Sequence, residues 1–338
     1  MKRIIICSDG TWNEPDQMDR DRVCPSNVVK IARAIQITND QPLFYDKGVG
    51  TSGWFDKIAG GALGRGLDKN VMDDYEFIVQ NYNEGDRIFC FGFSRGAYTV
   101  RSLGGLIGKC GILTQINIDK IDDVFKNYRD RDISGESETI KSFKTQYCHS
   151  DNTIFFMGVW DTVGALGIPI RGLNRLTAKR YHFHDVRLGA HISNAFQALA
   201  IDEQRSPFEP AIWKTENLEN QRVEQRWFVG VHSNIGGGYV DTGLSDLTLE
   251  WMITKVKECD PELVFDERYI EKNLNPDFRG ELRKSRTGYY KLSPPLVRQL
   301  FLAENAYETV DDSVSQRYFD MTCDYQPENL QEIEEKLK

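Results

Sequence analysis

The chain has 338 residues, of which 40% are hydrophobic and 11% aromatic, enough for one large α/β domain or for a core with an insertion. Its formal net charge of −9 argues against a nucleic-acid-binding surface as the main function. No stretch approaches the roughly 18 consecutive apolar residues of a transmembrane helix, and the first apolar run is too short for a signal peptide.

Seven cysteines, none of them in a Cys-x-x-Cys pair, predict reduced and mostly buried thiols in a protein made in the cytosol. No spacing of cysteine and histidine suits zinc, so we expect neither a metal nor another cofactor. The protein is expected to be cytoplasmic as synthesised, and export by a route without a cleaved signal stays open.

The predicted elements alternate between apolar strands and helices. In chain order they are a strand at 4–8, a helix at 28–35, a strand at 43–45, a helix at 67–82, a strand at 87–91, a helix at 97–107, a strand at 153–160, a helix at 190–196 and a strand at 224–231. The strands are apolar throughout rather than in alternation, which indicates a mostly parallel sheet with helices on both faces. The predicted fold class is therefore α/β.

The charged segment 114–150 carries little strand signal, and we expect it to be a helical insertion that caps a site. We predict one main domain over 1–260, which contains this insertion and the candidate site residues. The polar remainder, 261–338, is predicted to be a C-terminal extension packed on the same domain.

The pentapeptide Gly92-Phe93-Ser94-Arg95-Gly96 directly follows one predicted strand and precedes a predicted helix. This is the context of a turn that projects a serine hydroxyl from the carboxyl edge of a parallel sheet. Gly92 and Gly96 stand where neighbouring backbone leaves no room for a Cβ atom. Short strings of this kind also occur by chance, so the strand–turn–helix context carries the prediction that Ser94 is a nucleophile.

A serine nucleophile needs a general base, usually a histidine oriented by a carboxylate. His232 directly follows a predicted strand, and functional groups gather at such strand ends in parallel sheets. Asp161 follows the strand at 153–160 in the same way, although an aspartate there is also a common helix cap. Other histidines are expected at the surface or in structural positions, namely His182, His184 and His191.

Acyl transfer also needs hydrogen-bond donors for the developing oxyanion. The backbone N–H of Arg95, directly after Ser94, is one predicted donor. The loop after the first strand is the predicted source of the other, from Gly10 or Thr11. Asp9 is expected to fix this loop through its carboxylate, or else to be a simple turn former.

Two glycine-rich segments offer a competing interpretation. The segment 48–53 fits the G-x-G-x-x-G string of dinucleotide-binding proteins, but further glycines interrupt the expected helix and no second strand ends in an acid at the required distance. The segment 61–66 lacks the Lys-Ser/Thr pair of a phosphate-binding loop. Both segments are predicted to be flexible loops at the rim of the site.

Several blocks together resemble a known family, and they are 8–13, 60–66, 92–101, 158–165, 198–203, 227–239 and 243–247. The family is a group of α/β-hydrolases long known as a domain of unknown function, and it includes phospholipase effectors of type VI secretion systems. The resemblance covers most of 1–260 and implies a hydrolase whose triad falls on Ser94, Asp161 and His232. The family usually has an acidic residue two positions after the histidine, whereas this chain has Asn234, a further residue expected to support the site.

These observations predict an α/β-hydrolase-like serine hydrolase that cleaves carboxylic esters, in particular lipid or phospholipid acyl esters, through an acyl-enzyme. The same residues also suit thioesters, amides or acetyl groups, and a non-catalytic interaction protein could retain the fold. The expected partners are an ester substrate and, from the resemblance, an immunity or secretion protein. The acyl chain and the oligomeric state stay open.

Overall fold

The computed structural model describes residues 1–10, 15–48, 62–163, 188–214, 220–301 and 306–337. The strands in these ranges are β1 (Arg3–Ser8), β2 (Met18–Asp19), β3 (Arg22–Val23), β4 (Leu43–Asp46), β5 (Arg87–Phe93), β6 (Ile154–Trp160), β7 (Ile192–Ala200), β8 (Arg222–Phe228) and β9 (Glu308–Val310).

The α-helices in these ranges are α1 (Asn27–Ala34), α2 (Ala62–Asn81), α3 (Arg95–Cys110), α4 (Ile121–Arg129), α5 (Glu138–Tyr147), α6 (His232–Gly236), α7 (Gly243–Cys259), α8 (Glu267–Asn273), α9 (Asp312–Phe319) and α10 (Glu328–Gln331). Short 3-10 helices lie at Gln115–Lys120, Ser206–Phe208, Gly288–Leu292 and Glu334–Lys336. Of the helices described, none is both long enough and apolar enough to cross a bilayer.

Seven of the described strands form one parallel sheet in the order β4-β1-β5-β6-β7-β8-β9, with helices around it, and this is an α/β-hydrolase-like fold. In-register pairs such as Ser8 with Gly92 and Phe93 with Trp160 bring the carboxyl ends of β1, β5 and β6 to one edge. The chain passes from β4 across β1 to β5, so the strand order reverses beside β1. Open parallel sheets bind their ligands at such a point, beyond the carboxyl ends of the strands.

Apolar clusters on the two faces of the sheet hold these layers together. One cluster packs α2 and α3 against β1, β5 and β6, and the other packs α1 and α7 against the opposite face. Both faces are therefore covered, and the central strands are buried along nearly their whole length. This explains why these strands are apolar throughout rather than in alternation.

The structure corrects one predicted element, the helix at 190–196. Ile192, Ala195 and Phe196 have helical spacing, but they lie in strand β7. β7 pairs with β6 on one side and β8 on the other, and burial on both of its faces outweighs the helical pattern. His191 precedes this strand, and its Nε2 donates to the carbonyl oxygen of Gly104 (2.8 Å), which ties β7 to α3.

The rim-loop interpretation of 61–66 is wrong for 62–66, because these residues form the start of helix α2. The buried face of α2 packs against the core, and this packing outweighs the poor helix propensity of glycine. Residues 49–61 lie outside the described residues. Gly48, with φ of +68°, lies against the loop after β1, since a Cβ atom on it would be 2.6 Å from the carbonyl oxygen of Gly10.

Residues 114–150 are largely helical and comprise one 3-10 helix together with α4 and α5. Val124 joins the apolar cluster of α2 and α3, and Phe143 packs against it. At the end of α3, the Lys109 ammonium donates to the carbonyl oxygen of Asp130 (2.6 Å). This segment is therefore packed along α3, and its role as a cap over the site stays a prediction.

The segment after residue 260 contributes to the same sheet. β9 pairs in parallel with β8, with Val310 opposite Trp227. A third apolar cluster joins β7 and β8 to α9 and α10 through Leu199, Val314 and Leu330. A domain boundary at residue 260 stays a prediction, but the C-terminal segment completes one edge of the described sheet.

Candidate active site

Ser94 stands on a strained turn between β5 and α3. Its φ of +57° and ψ of −115° are unusual for a residue with a side chain. A Cβ atom on Gly92 would lie 2.6 Å from the carbonyl oxygen of Gly96, and one on Gly96 would lie 1.9 Å from that of Ser8. Both neighbours must therefore be glycine, and the turn presents the half-buried Ser94 side chain at the carboxyl edge of the sheet.

Three predicted residues meet at this edge in one hydrogen-bonded line. His232 begins α6 just beyond β8, and its Nε2 lies 2.8 Å from Ser94 Oγ. Its Nδ1 lies 2.6 Å from Oδ2 of Asp161, which directly follows β6. The arrangement is that of a nucleophile, a base and a carboxylate that orients the base.

Asp161 is fully buried, and its backbone has φ of +39°. Besides His232, its carboxylate accepts hydrogen bonds from the Ala200 N–H (3.1 Å) and from Arg298, whose Nη1 lies 2.6 Å from Oδ1 and whose Nη2 lies 3.1 Å from Oδ2. Burial alone would raise the pKa of this carboxyl, but the charge of Arg298 and the hydrogen bond from His232 hold it well below its usual range. Asp161 is therefore an anion at every pH where the protein is expected to work.

Arg298 is a site residue that the sequence analysis missed. Its side chain is buried, and beyond Asp161 it donates to the carbonyl oxygens of Ala200 (2.8 Å) and Phe208. It belongs to no motif and follows Asp161 by 137 positions. The one local signal is a lone arginine within the otherwise largely apolar stretch 296–302, which is unusual for a surface segment.

The imidazole of His232 lies in a mostly apolar environment. The rings of Phe93 and Phe208 are 4.6 and 4.9 Å from it, centroid to centroid. Burial lowers the pKa of His232 below its ordinary value, and this effect outweighs the opposing hydrogen bond and charge of Asp161; Arg205 lowers the pKa further. The imidazole is therefore neutral near neutral pH, as a general base must be.

Glu203 is a second residue that the sequence analysis did not assign, although it lies in one of the blocks that resemble the family. Its buried carboxylate accepts hydrogen bonds from the backbone N–H of His232 (3.2 Å), the Ser285 hydroxyl (2.9 Å) and the Arg205 guanidinium (2.8 Å). Burial would raise the pKa of Glu203, but the pairing with Arg205 lowers it. This ion pair fixes the backbone at the start of α6.

The structure describes two of the three predicted oxyanion donors, Arg95 and Gly10, and their N–H groups have different surroundings. Arg95 is the first residue of α3, so its N–H has no acceptor within the helix and stands next to Ser94. The N–H of Gly10 donates to Oδ1 of Asp9 (2.7 Å), and its role as an oxyanion donor stays a prediction. Thr11 lies outside the described residues.

Asp9 holds the loop after β1. Its Oδ2 accepts hydrogen bonds from the Ser26 hydroxyl (2.5 Å) and the Tyr45 hydroxyl (2.9 Å), in addition to the Gly10 N–H on Oδ1. The residue is buried at the strand-order reversal beside β5. Within the described ranges, no group of three or more His, Cys, Asp and Glu side chains could hold a metal ion.

Asn234 connects helix α6 to the C-terminal segment. Its Nδ2 donates to the carbonyl oxygen of Glu281 (3.0 Å), and its Oδ1 accepts from the N–H groups of Val231 and Arg283, each at 3.3 Å. An acidic side chain could not donate to the Glu281 carbonyl, so the departure from the family pattern matches a specific contact of this chain.

The family described as the catalytic domain of Tle1-like phospholipase effectors of the type VI secretion system matches residues 2–255. Among curated proteins, the uncharacterized protein YEL023C of Saccharomyces cerevisiae is 24% identical over 234 residues, which are 61% of this chain and 32% of that protein. The chain thus spans about a third of the length of this relative.

Two solved structures are also similar to the chain. An uncharacterized protein from Pseudomonas aeruginosa has a TM-score of 0.46 and 17% identity, covering 82% of this chain and 49% of that one. The Tle1 effector bound to the VgrG spike of the type 6 secretion system has a TM-score of 0.39 and 16% identity, covering 71% of this chain and 52% of that one. The chain spans about half the length of each.

Proposed function

The chain belongs to the family of Tle1-like phospholipase effector catalytic domains, and from this premise we propose that it is a serine hydrolase that cleaves acyl esters of lipids. The observation that carries the proposal is the line of hydrogen bonds from Asp161 through His232 to Ser94. A buried anion, a neutral imidazole and a strained serine turn together serve nucleophilic attack better than they serve a purely structural role.

In the proposed reaction Ser94 Oγ attacks the ester carbonyl while His232 Nε2 takes the hydroxyl proton. Asp161 holds Nδ1–H and stabilises the imidazolium that forms. The Arg95 N–H donates to the developing oxyanion. The imidazolium then protonates the leaving alcohol, and water activated by the same imidazole hydrolyses the acyl-enzyme.

The side chain of Arg95 favours an anionic ester as substrate. Within the described residues its guanidinium forms no ion pair, and burial lowers its pKa to about 10. A cation that has lost much of its hydration gains from a negatively charged ligand. The phosphate of a phospholipid would supply that charge beside the ester to be cleaved.

Covalent labelling with a fluorophosphonate tests the catalytic proposal. We expect fast labelling of the wild type, none of Ser94→Ala, and labelling of His232→Ala slowed by at least about 10³-fold. Equal labelling of wild type and His232→Ala, with no hydrolysis of any ester, would instead favour a non-catalytic protein. Esters, thioesters, amides and acetyl compounds assayed side by side identify the acyl group.

Replacement of Arg95 by methionine tests the substrate class, because it keeps the backbone N–H. We expect KM for a phospholipid to rise by about tenfold, with a smaller change for an uncharged ester of the same acyl chain. Arg95→Lys is the matched control, since it keeps the charge. An equal loss on both esters in Arg95→Met would contradict a role in recognising the anion.

Because the family comprises type VI secretion effectors, we propose that a secretion or immunity protein binds this chain and that the chain is exported through such an apparatus. The test is the amount of chain outside producing cells with an intact and with an inactivated secretion apparatus. Equal amounts would contradict this route.

A further inference from the structure

Residues 282–298, here called the basic strap, differ in charge from the rest of the chain. In a chain of net charge −9 they contain no acidic side chain and five cations, which are Arg283, Lys284, Arg286, Lys291 and Arg298. Arg283 pairs with Asp19 (3.1 Å), and Arg298 pairs with Asp161. The other three form no ion pair within the described residues, so their charge is not cancelled inside the protein.

The basic strap lies beside the candidate active site along its length. Near its start, the Ser285 hydroxyl donates to Glu203, which also accepts from the His232 N–H. In its middle, the ring of Tyr290 lies 6.1 Å from that of Phe208, which in turn lies 4.9 Å from His232. At its end, Arg298 holds the triad carboxylate.

The same region exposes large apolar side chains. On the basic strap, Leu292 is 79% exposed and Val297 41% exposed. The hairpin of β2 and β3, residues 18–23, is here called the rim hairpin, and it exposes Met18 (64%) and Val23 (57%). Single exposed apolar residues are common, but these stand next to uncancelled cations and beside a reactive centre.

The rim hairpin and the basic strap form one connected surface. Asp19 of the hairpin accepts from the Arg283 guanidinium and from the Val240 N–H (2.9 Å). Gly238, two residues before Val240, lies against the side chain of Gln17, since a Cβ atom on it would be 2.6 Å from Gln17 Nε2. Gln17 directly precedes the hairpin. The rim hairpin is thus attached to the loop that follows helix α6, and the basic strap is attached to the hairpin. His232 is the first residue of that helix.

We propose that the basic strap and the rim hairpin seat the protein on the surface of an anionic lipid bilayer, with Ser94 facing the membrane. The inference rests on the proposed function, because a lipid hydrolase must reach esters that are held in a membrane. The exposed Lys284 and Lys291 contact anionic headgroups, and Leu292 and Met18 enter the boundary of the acyl chains. The Arg286 guanidinium instead donates to the carbonyl oxygens of Lys291 (3.1 Å) and Ser293, which holds the strap in shape. This pairing of basic and apolar side chains is typical of peripheral membrane proteins.

A nucleic acid would also attract the cations, but it gives the exposed apolar side chains nothing to bury against. Nucleic-acid surfaces rely on stripes of Lys and Arg with aromatic groups for stacking. Leu292, Met18 and Val23 are aliphatic and project from the surface instead. The combination favours lipid.

Co-sedimentation with vesicles tests the inference, using the full chain with Ser94→Ala so that no lipid is consumed. We expect strong binding to vesicles of equal parts phosphatidylcholine and phosphatidylglycerol, weak binding to phosphatidylcholine alone, and weaker binding at high salt. Lys284→Glu/Lys291→Glu should lower the affinity for the anionic vesicles by more than about tenfold, and Leu292→Ser by several-fold.

Matched controls carry the same changes elsewhere on the surface. Lys141→Glu/Lys257→Glu changes two exposed lysines on α5 and α7, and Ile37→Ser removes an apolar side chain that is 67% exposed. These variants should bind anionic vesicles like the Ser94→Ala parent. Equal loss in control and strap variants, equal binding to both lipid mixtures, or strap-dependent binding of an oligonucleotide instead of vesicles would overturn the inference.

The binding assay does not depend on catalysis, so the two proposals can fail separately. If Ser94 of the wild type reacts with the fluorophosphonate but the protein does not bind vesicles, the proposed membrane surface is wrong. The proposed hydrolase function is then unaffected. If vesicles bind through the strap but Ser94 is inert, the proposed function is wrong. In the active protein, the strap variants should lower hydrolysis of vesicle lipid relative to that of a soluble ester.

Discussion

Residues 1–260 and 261–337 contribute to the candidate site in different ways. The first region carries Ser94, Asp161 and His232, each just beyond a strand of the parallel sheet. The second carries no catalytic motif, yet Arg298 holds the Asp161 carboxylate and the basic strap lies beside His232. The proposed reacting groups thus come from one region, and part of what surrounds them comes from the other.

The difference reflects two kinds of constraint. A reacting group must stand at a strand end of the sheet, and a strand followed by a turn motif indicates that position locally. A group that holds another side chain needs only to reach it, so it can come from any segment that packs nearby. Variants in the two regions should accordingly differ in kind, with loss of chemistry in the first and altered electrostatics or anchoring in the second.

The largest effect is expected in the first region. Asp161→Asn should lower kcat on a soluble ester by about 10⁴-fold, because an amide does not fix the His232 tautomer or stabilise the imidazolium. The matched control is Asp260→Asn. Asp260 is also a buried aspartate that pairs with arginine, in this case with Arg3 and Arg87. That control should lower stability but keep kcat, and a comparable loss of kcat in both variants would remove the distinction between the regions.

Arg298→Met tests the second region and should have the next largest effect. We expect kcat to fall by about 10²-fold and stability by about 3–5 kcal/mol, since a buried carboxylate loses its main charge partner. Arg298→Lys should recover part of the activity. If Arg298→Met does not fold, the lysine variant still measures the loss of the bidentate geometry by itself, because lysine keeps the positive charge.

The pH profile of the Arg298 variants distinguishes this positioning role from a merely structural one. The wild-type kcat/KM should fall with decreasing pH through the His232 pKa, which burial places below 6.5. Without Arg298, the charge of Asp161 is no longer balanced and stabilises the imidazolium more, so this acidic limb should move to higher pH. Glu203 and Arg205 face His232 in both proteins, and an unchanged limb would contradict the role.

Asn234→Asp tests the connection between the two regions. The carboxylate would face the Glu281 carbonyl oxygen and lose a donated hydrogen bond at a buried position, at a cost of about 1–3 kcal/mol. Thermal unfolding measures this cost, and Asn234→Ala is the control that removes the bond without adding a charge. A more stable Asn234→Asp protein would contradict the anchoring contact.

The smallest expected effect concerns Tyr325, whose hydroxyl donates to Asp202 (3.0 Å) in the first region. Burial raises the pKa of Asp202 to about 6, although hydrogen bonds from Gly230 and Tyr325 oppose the shift. Ionisation of such an acid costs stability, so the free energy of unfolding falls as the pH rises from 3.8 towards 6. Tyr325→Phe removes a donor to the ionised form and should cost about 1 kcal/mol above pH 7 but less at pH 5.

Denaturation at both pH values measures this difference. Tyr318→Phe is a control for the loss of a hydroxyl elsewhere in the same apolar cluster. An equal cost of Tyr325→Phe at both pH values would show that the hydroxyl does not act on the Asp202 charge.

Much of the first region could be predicted from the sequence. The strands at 4–8, 87–91 and 153–160 match the buried strands β1, β5 and β6, and the strand at 224–231 overlaps the less buried β8, which spans Arg222–Phe228. The α/β class and the family are confirmed. The predictions of β1, β5 and β6 succeed because a buried parallel strand is apolar on both faces. Such an apolar run is visible in the sequence without knowledge of the neighbouring strands.

The remaining features depend on tertiary contacts. The residues of β7 have helical spacing, and only their two neighbouring strands decide in favour of a strand. Gly10 stays a predicted oxyanion donor, and the contact of its N–H with the Asp9 carboxylate depends on a loop geometry that the sequence does not indicate. Arg298 shows only a weak local signal, a lone arginine in a largely apolar stretch, because its role is defined by a contact with a residue 137 positions earlier.

The pairing of β9 with β8 has a consequence for how the protein is made. A ribosome completes all three residues of the proposed triad, and the whole stretch that the family model matches, before it reaches Arg298 or β9. Until then β8 presents an open edge to other chains, and Asp161 lacks its guanidinium partner. The contact between Asp161 and Arg298 therefore forms only after the segment that carries Arg298 and β9 has been synthesised, and a fragment that ends at residue 255 should aggregate.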